Sequence, residues 1–172
     1  AAVLNIGAER VIFIDAEALV IDKPAGLAVH PGPATRTSLA DHLNDLRFGF
    51  QRPPSPVHRL DRDTSGCLLL ARNPKAHRRF SRAFEEDRVG KSYVAVVDGT
   101  PDRAAGRIDL GLSKIASRAA GWRIVADAAG KPAATRWRLL RVRNERALVL
   151  FEPETGRTHQ IPVHMAHIAH PL

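Results

Sequence analysis

The sequence of 172 residues has one cysteine, one tyrosine and few aromatic residues of any kind. A lone Cys67 excludes an intramolecular disulfide and is typical of proteins in a reducing cytoplasm, where we expect this protein to act. Phe, Trp and Tyr make up 5% of the residues, so a broad aromatic platform for single-stranded nucleic acid is not expected. No apolar run approaches the roughly 20 residues that span a bilayer, and the first ten residues lack the pattern of a signal peptide.

Acidic residues are also fewer than basic residues. The 26 Lys and Arg residues outnumber the 18 Asp and Glu residues, which gives a net charge of +8 and a pI of about 10.7. A surplus of this size attracts polyanions, and nucleic acid is the commonest partner. The length suits one domain that buries roughly 70% of the surface of its unfolded chain, so residues 1–172 are expected to form a single domain and a monomer.

Apolar runs and turn residues predict a mixed order of strands and helices. The expected strands are 11–14 and 19–21, then 91–99 as a central strand, and a hairpin around 143–146. Helices are expected from Ser38, with Asp41 completing the cap, from Pro74 after the cap residue Asn73, and from His159 after Thr158. The Gly- and Ala-rich segment 100–131 is the least informative, with short strands only near Ile108 and Ile124.

The most informative stretch is a polar turn directly before an apolar run, Cys67 to Ala71. In an extended segment Arg59 and Asp61 share one face, while His58 and Leu60 point to the other. The residues that follow, Thr64-Ser65-Gly66, favour a tight turn. A carboxylate and a guanidinium thus lie together at the edge of a buried strand, where active sites are common.

Four motifs in the same order resemble those of RNA pseudouridine synthases, specifically the RluA branch that modifies ribosomal and transfer RNA. They are Lys23-Pro24-Ala25-Gly26-Leu27-Ala28-Val29-His30-Pro31, His58-Arg59-Leu60-Asp61 with Thr64-Ser65-Gly66, Lys91-Ser92-Tyr93-Val94-Ala95, and Thr155-Gly156-Arg157-Thr158-His159-Gln160-Ile161. The resemblance implies an α+β domain around a mostly antiparallel, bent sheet flanked by helices. Relatives continue beyond the position of Leu172 through further strands, so part of the usual domain is expected to be missing.

The resemblance also implies a site. Asp61 would be the catalytic carboxylate, Tyr93 would lie against the target uracil, and Arg59 would fill the gap that a flipped base leaves in the RNA. Lys23 is expected to be structural or to face RNA. The residues implied to bind RNA are His58, Arg59, Leu60, Thr64, Arg157, His159, Gln160 and Ile161. The partner is expected to be rRNA or tRNA, with no metal and no other cofactor; the histidines of the last motif lack the further ligands of a zinc site.

One position departs from the family pattern. Pro162 stands where the family has an arginine that pairs with the catalytic aspartate, and as the fourth residue of a helix beginning at His159 it would remove a backbone donor. The helix therefore begins later, or the site is altered. An alternative function is a catalytically impaired RNA-binding module of the same fold. A further alternative is a glycoside hydrolase that uses Asp61 and Asp63 as its carboxylate pair.

Overall fold

The computed structural model describes residues 6–32, 35, 37–117 and 121–172, with Ser117 described for its backbone alone. The chain forms two compact units, residues 1–88 and residues 89–172. Each contains antiparallel sheet and one α-helix. The predicted α+β class is therefore confirmed. That residues 1–172 act as one domain stays a prediction.

The amino-terminal unit is a four-stranded antiparallel sheet with the strand order β1-β2-β4-β3. Its strands are β1 (Val11–Ile14), β2 (Ala18–Lys23), β3 (Ser55–Pro56) and β4 (Gly66–Ala71). The acidic turn between β1 and β2 is closed by Asp15, whose carboxylate accepts hydrogen bonds from the backbone N–H groups of Glu17 and Ala18. These two bonds, the Ala18 bond first, lower the pKa of Asp15.

β2 and β4, which pair with each other, supply the core of this unit. Their Leu19, Ile21, Leu68 and Leu70 side chains are fully buried. The buried apolar run after Gly66 is thus confirmed as a strand between two neighbours. Because β4 is hydrogen-bonded to β2 on one side and to β3 on the other, the polar turn that precedes it ends at a fixed position.

Besides the short 3₁₀ helix Ala8–Arg10, the described part of the amino-terminal unit has two longer helices. The first, Leu39–Leu46, is a 3₁₀ helix, and the predicted Ser38–Asp41 cap is present: the Asp41 carboxylate accepts a hydrogen bond of 2.8 Å from the Ser38 N–H. The second is α1 (Pro74–Glu85). Its predicted cap is also present, since the Asn73 side chain accepts a hydrogen bond of 2.9 Å from the Ala76 N–H. Both helices begin where the sequence predicts.

The carboxy-terminal unit has a four-stranded antiparallel sheet with the order β5-β10-β9-β6 and a separate hairpin of β7 and β8. The strands are β5 (Tyr93–Asp98), β6 (Ala105–Asp109), β7 (Leu112–Ser117), β8 (Gly121–Ala126), β9 (Ala134–Arg143) and β10 (Arg146–Pro153). The β9–β10 turn confirms the predicted hairpin. The prediction that β5 is central is wrong: in the described part of the chain β5 ends the strand order, and its Val94 and Val96 are more than half exposed.

One face of this sheet packs against α2 (Gln160–His167). The buried residues of this cluster are Val97, Ile108, Trp137, Ala147, Val149, Phe151 and Met165. The last motif therefore lies at the start of a helix that is anchored on a sheet. None of the described helices is long and apolar enough to cross a membrane.

Candidate functional site: the Asp61 turn and the Arg157 loop

The Asp61 turn, residues 58–66, connects β3 to β4. It is closed by a hydrogen bond of 3.1 Å from the Thr64 N–H to the Asp61 carbonyl oxygen. Leu60 is buried, Asp61 is half-buried and Arg59 is exposed, as the alternation of an extended segment predicts. Gly66 begins β4 at a φ of 119°, a conformation that favours glycine. The carboxylate of Asp61 thus lies on a short turn whose two ends are held by the sheet.

His58 anchors the first end of this turn. Its ring stacks on Phe84 of α1, with the ring centroids 4.3 Å apart. Its Nε2 accepts a hydrogen bond of 2.9 Å from the Leu69 N–H, one residue beyond the β3–β4 pairing of Pro56 with Leu70. The imidazole therefore takes the place of a backbone carbonyl as the acceptor for the Leu69 N–H. These contacts give His58 a structural role, while its predicted contact with RNA stays a prediction.

Lys23 anchors the other side of the turn from β2. The side chain has no exposed surface, and its ammonium donates hydrogen bonds to the carbonyl oxygens of Pro24, Leu27 and Arg62, at 2.8, 2.7 and 3.2 Å. Burial lowers the pKa of Lys23, opposed by the charges of Asp63 and Asp61. Of its two predicted roles, the structure shows the structural one. Lys23 ties the loop after β2 to the residue that follows Asp61.

Tyr93 is the first residue of β5, in register with Phe151 of β10. Its ring is half-buried and packs against the apolar cluster beneath α2. The ring is therefore held as part of the sheet and keeps an exposed portion. This position suits a side chain that offers a fixed aromatic surface.

The Arg157 loop, residues 154–159, connects β10 to α2 and is organised by Gln160. The Gln160 side chain is buried; its Oε1 accepts from the Thr155 hydroxyl and the Arg157 N–H, and its Nε2 donates to the Ala134 carbonyl and Thr135 Oγ1. Four hydrogen bonds of 2.7 to 3.0 Å use the whole capacity of the amide. Gln160 therefore has a structural role, because the polar atoms of a buried amide must be satisfied inside the protein, while its predicted RNA contact stays a prediction.

His164 extends this hydrogen-bond network one turn further along α2. It is fully buried, with Nδ1 2.9 Å from Thr135 Oγ1 and Nε2 2.8 Å from the Leu110 carbonyl oxygen. Since a carbonyl can only accept, Nε2 carries the proton and Nδ1 accepts from the hydroxyl. His164 is therefore a structural, hydrogen-bonded histidine. Among the described residues, no group of three or more His, Cys, Asp or Glu side chains is arranged to hold a metal ion.

Arg157 and Ile161 flank this network. The Arg157 guanidinium is exposed and donates through Nε to the Pro132 carbonyl oxygen at 3.0 Å. Ile161 is half-buried against the apolar cluster. This packing accounts for an apolar residue at position 161 without an RNA contact. Of the two, Arg157 offers the charge and exposure that a phosphate contact needs.

The start of α2 corrects two predictions. The cap residue is His159 rather than Thr158, and the first α-helical bond runs from the Val163 N–H to the His159 carbonyl oxygen, at 3.1 Å. Pro162 is therefore the third residue of the helix, where a missing N–H costs no intrahelical hydrogen bond. The side chain of Pro162 is exposed. The proline thus fits the helix, and the predicted backbone conflict disappears.

One contact of this loop was not expected from the sequence. The His159 ring stacks on Trp122 of β8, with centroids 5.6 Å apart and an interplanar angle of 17°. The prediction for segment 100–131 included a strand near Ile124 but no role for Trp122. The signal in the sequence for this contact was a tryptophan within a basic segment.

Comparisons with known proteins agree on one family. Residues 17–167 match the family model described as RNA pseudouridylate synthase. An uncharacterized RNA pseudouridine synthase of Zymomonas mobilis is 59% identical over 163 residues, with 95% of this chain and 74% of that protein covered. Ribosomal large subunit pseudouridine synthase D of the same organism is 34% identical, and 95% of this chain covers 53% of its length.

A solved structure supports the same relationship. The chain superposes on human RNA Pseudouridylate Synthase Domain Containing 4 with a TM-score of 0.79 and 26% identity, covering 95% of this chain and 66% of that one. The chain thus spans about half to three quarters of the length of these relatives.

Proposed function

Because the chain belongs to the RNA pseudouridine synthase family, we propose that it isomerises uridine to pseudouridine in RNA with Asp61 as the catalytic carboxylate. The observation that carries this proposal is the Asp61 turn, a half-buried carboxylate on a turn fixed by the buried Lys23 and by His58. A reacting group must be held in a fixed orientation to accelerate chemistry, and this turn supplies that orientation.

The reaction breaks the bond between C1′ of the ribose and N1 of uracil, turns the base, and forms a bond from C1′ to C5. The proton on C5 is then lost, and N1 gains one, so the product has the same mass as the substrate. In our proposal Asp61 either attacks C1′ or removes a sugar proton to assist departure of the base. Both routes need an ionised carboxylate.

Tyr93 and Arg59 have separate roles in this proposal. The half-exposed ring of Tyr93 holds the detached uracil while it turns, and its hydroxyl can take the C5 proton. The exposed Arg59 side chain occupies the gap in the RNA. Arg157 pairs with a backbone phosphate, supported by its exposure and its anchoring at Pro132.

The substrate class in our proposal is rRNA or tRNA in the cytoplasm. The net charge of +8 supports a polyanionic substrate. One relative is named for the large ribosomal subunit, which supports rRNA as the first substrate to test. The glycoside hydrolase alternative has little support, because the Asp63 side chain is 80% exposed and paired with Arg62.

The first experiment measures pseudouridine in unmodified rRNA and tRNA after incubation with the chain, by nucleoside chromatography. Asp61→Asn is expected to lower kcat by at least about 10³-fold, because the carboxylate acts directly at the reacting carbon. The matched control is Asp63→Asn, two positions along the same turn, which is expected to stay within about fivefold of the parent since the side chain lies in solvent. Equal activity of Asp61→Asn and the parent would exclude the proposed carboxylate.

Pro162 is the observation that favours the second candidate, an RNA-binding module without turnover. Its place in the first turn of α2 is exposed and needs no N–H, so Pro162→Arg is expected to fold normally. Activity in the parent chain would exclude the second candidate. An inactive parent with an active Pro162→Arg variant would identify a disabled synthase, and RNA binding without activity in both would favour the module.

A further inference from the structure

Trp122 is a large apolar side chain left half in solvent, on the hairpin of β7 and β8. Its residue surface is 50% exposed, whereas Trp137, the other tryptophan, is 7% exposed in the core. The residue opposite Trp122 in the hairpin is Ala116, which is too small to cover an indole. An aromatic residue of this size is normally buried, so its exposure needs an explanation.

One positive charge lies at this indole. The Lys114 ammonium lies over the Trp122 ring, 4.6 Å from its centre, as a diagonal neighbour on the same face of the hairpin. Arg123, the next residue along β8, is exposed on the other face, opposite Ile115. Among the described residues of the hairpin, Leu112 to Ala126, no carboxylate is present. A half-exposed indole with a cation at its ring matches a nucleotide, which offers a π-face and a phosphate.

The hairpin is joined to the Arg157 loop by the stacked His159 ring. His159 has a φ of 50° and a ψ of 27°. This left-handed conformation is unfavourable for a residue that has a side chain. This backbone conformation occurs together with the imidazole placed against the indole. The indole is therefore an extension of the candidate site within the carboxy-terminal unit.

We propose that Trp122, with Lys114 beside it, binds one unpaired nucleotide of the RNA substrate by stacking on its base. The inference rests on the proposed function, since the occupant is a single-stranded part of the RNA that the enzyme modifies. A single exposed indole stacks on one base whatever its identity, because every base has a π-face. Lys114 then contacts the phosphate of that nucleotide. An RNA duplex offers no free base face to the indole.

The test measures binding of a 12-nucleotide, mixed-sequence, single-stranded RNA in the Asp61→Asn chain, which prevents turnover. Trp122→Leu is expected to weaken binding by at least about fivefold, the lower limit for loss of one base stack, and Trp122→Phe by less. The matched control is Ile115→Ala, which removes an exposed apolar side chain from the other face of the same hairpin and is expected to leave binding within about twofold. Circular dichroism checks that each variant is folded.

Two further readouts separate stacking from a structural role. In a Trp137→Phe background Trp122 is the sole tryptophan, and its fluorescence is expected to be quenched by the single-stranded RNA but not by a duplex of the same length. Lys114→Gln is expected to reduce the slope of log affinity against log salt by about 0.7, the value for one phosphate contact to a single strand.

Equal single-strand affinity of Trp122→Leu and its parent, or no binding by the parent, would overturn the inference. Quenching by the duplex as strong as by the single strand would overturn it as well. The proposed function is judged separately, by pseudouridine formation in the chain with Asp61 intact. Activity without an effect of Trp122 would leave the synthase standing and remove the nucleotide site.

Discussion

At the scale of single residues, Lys23 shows how a buried charge organises a functional turn. Removing an ammonium from water is unfavourable, which is why the pKa of Lys23 is lowered by its burial. The cost is offset by hydrogen bonds to three carbonyl oxygens, one of which belongs to Arg62 in the Asp61 turn. The Arg62 carbonyl also accepts from the Gly26 N–H at 2.8 Å. Lys23 therefore fixes the position of the residue that follows Asp61.

Lys23→Met is expected to lower the free energy of unfolding by about 2–4 kcal/mol, because it leaves buried carbonyl oxygens without a donor. The accompanying fall in activity should appear mainly in kcat, since the orientation of Asp61 is lost while the RNA-contacting surface remains. Urea unfolding and the pseudouridine assay measure the two effects. The control is Lys75→Met on the exposed side of α1, which should change stability by less than about 0.5 kcal/mol. A fully stable and active Lys23→Met would contradict the anchoring role.

At the scale of elements, Glu154 connects two strands to the Arg157 loop. Its carboxylate accepts hydrogen bonds from Arg107 of β6, at 2.9 and 3.1 Å, and from Arg136 of β9. Its own N–H donates to the Ala134 carbonyl oxygen at the start of β9. The bonds from Arg107 first, and those from Arg136, lower the pKa of the Glu154 carboxyl. The loop after β10 is thus attached to the sheet that it leaves.

The stabilisation from Glu154 is expected to depend on pH. A carboxyl whose pKa is lower in the folded chain stabilises the fold fully above its unfolded pKa of about 4.5, and this contribution is lost as the pH falls through the folded value. Parent and Glu154→Gln chains should therefore differ most in unfolding free energy at neutral pH and converge as the pH falls through the folded pKa of Glu154. Urea titrations at several pH values measure this difference. The exposed Glu85→Gln on α1 serves as the control, and a difference independent of pH would exclude the electrostatic explanation.

At the scale of the whole molecule, the net charge of +8 sets how the chain meets RNA. Each neutralised phosphate releases counterions, so affinity falls as salt is added. Some of the arginines are already used within the protein, since Arg79, Arg82, Arg107 and Arg136 are paired with carboxylates. Arg59, Arg157 and Lys114 are exposed.

Binding of single-stranded RNA is expected to weaken by about 7- to 18-fold between about 50 and about 200 mM salt, as two or three phosphate contacts require. Filter binding or fluorescence anisotropy measures this dependence. Replacing Arg82 by Gln, where the arginine is paired with Glu86 on α1, should leave the slope unchanged. An affinity that is constant across this range would mean that the contacts to RNA are not mainly ionic.

The sequence by itself determined the family, the strands that hold the motifs and the caps at Asp41 and Asn73. These features depend on residues close in the chain, where alternation, turn residues and side-chain caps act over a few positions. The tight turn after Asp61 was predictable for the same reason, because Thr64, Ser65 and Gly66 favour it through local bonds and backbone conformation.

Only the tertiary structure decided what the side chains of the motifs do. Gln160 is buried, donates hydrogen bonds to Ala134 and Thr135 and accepts one from Thr155, which gives it a structural role, and the His159 ring stacks on Trp122. The end position of β5 and the late start of α2, which accommodates Pro162, also depend on partners far away in the chain. The physical reason is that burial, desolvation and hydrogen-bond satisfaction are properties of the surroundings of a residue, which spacing along the sequence does not contain.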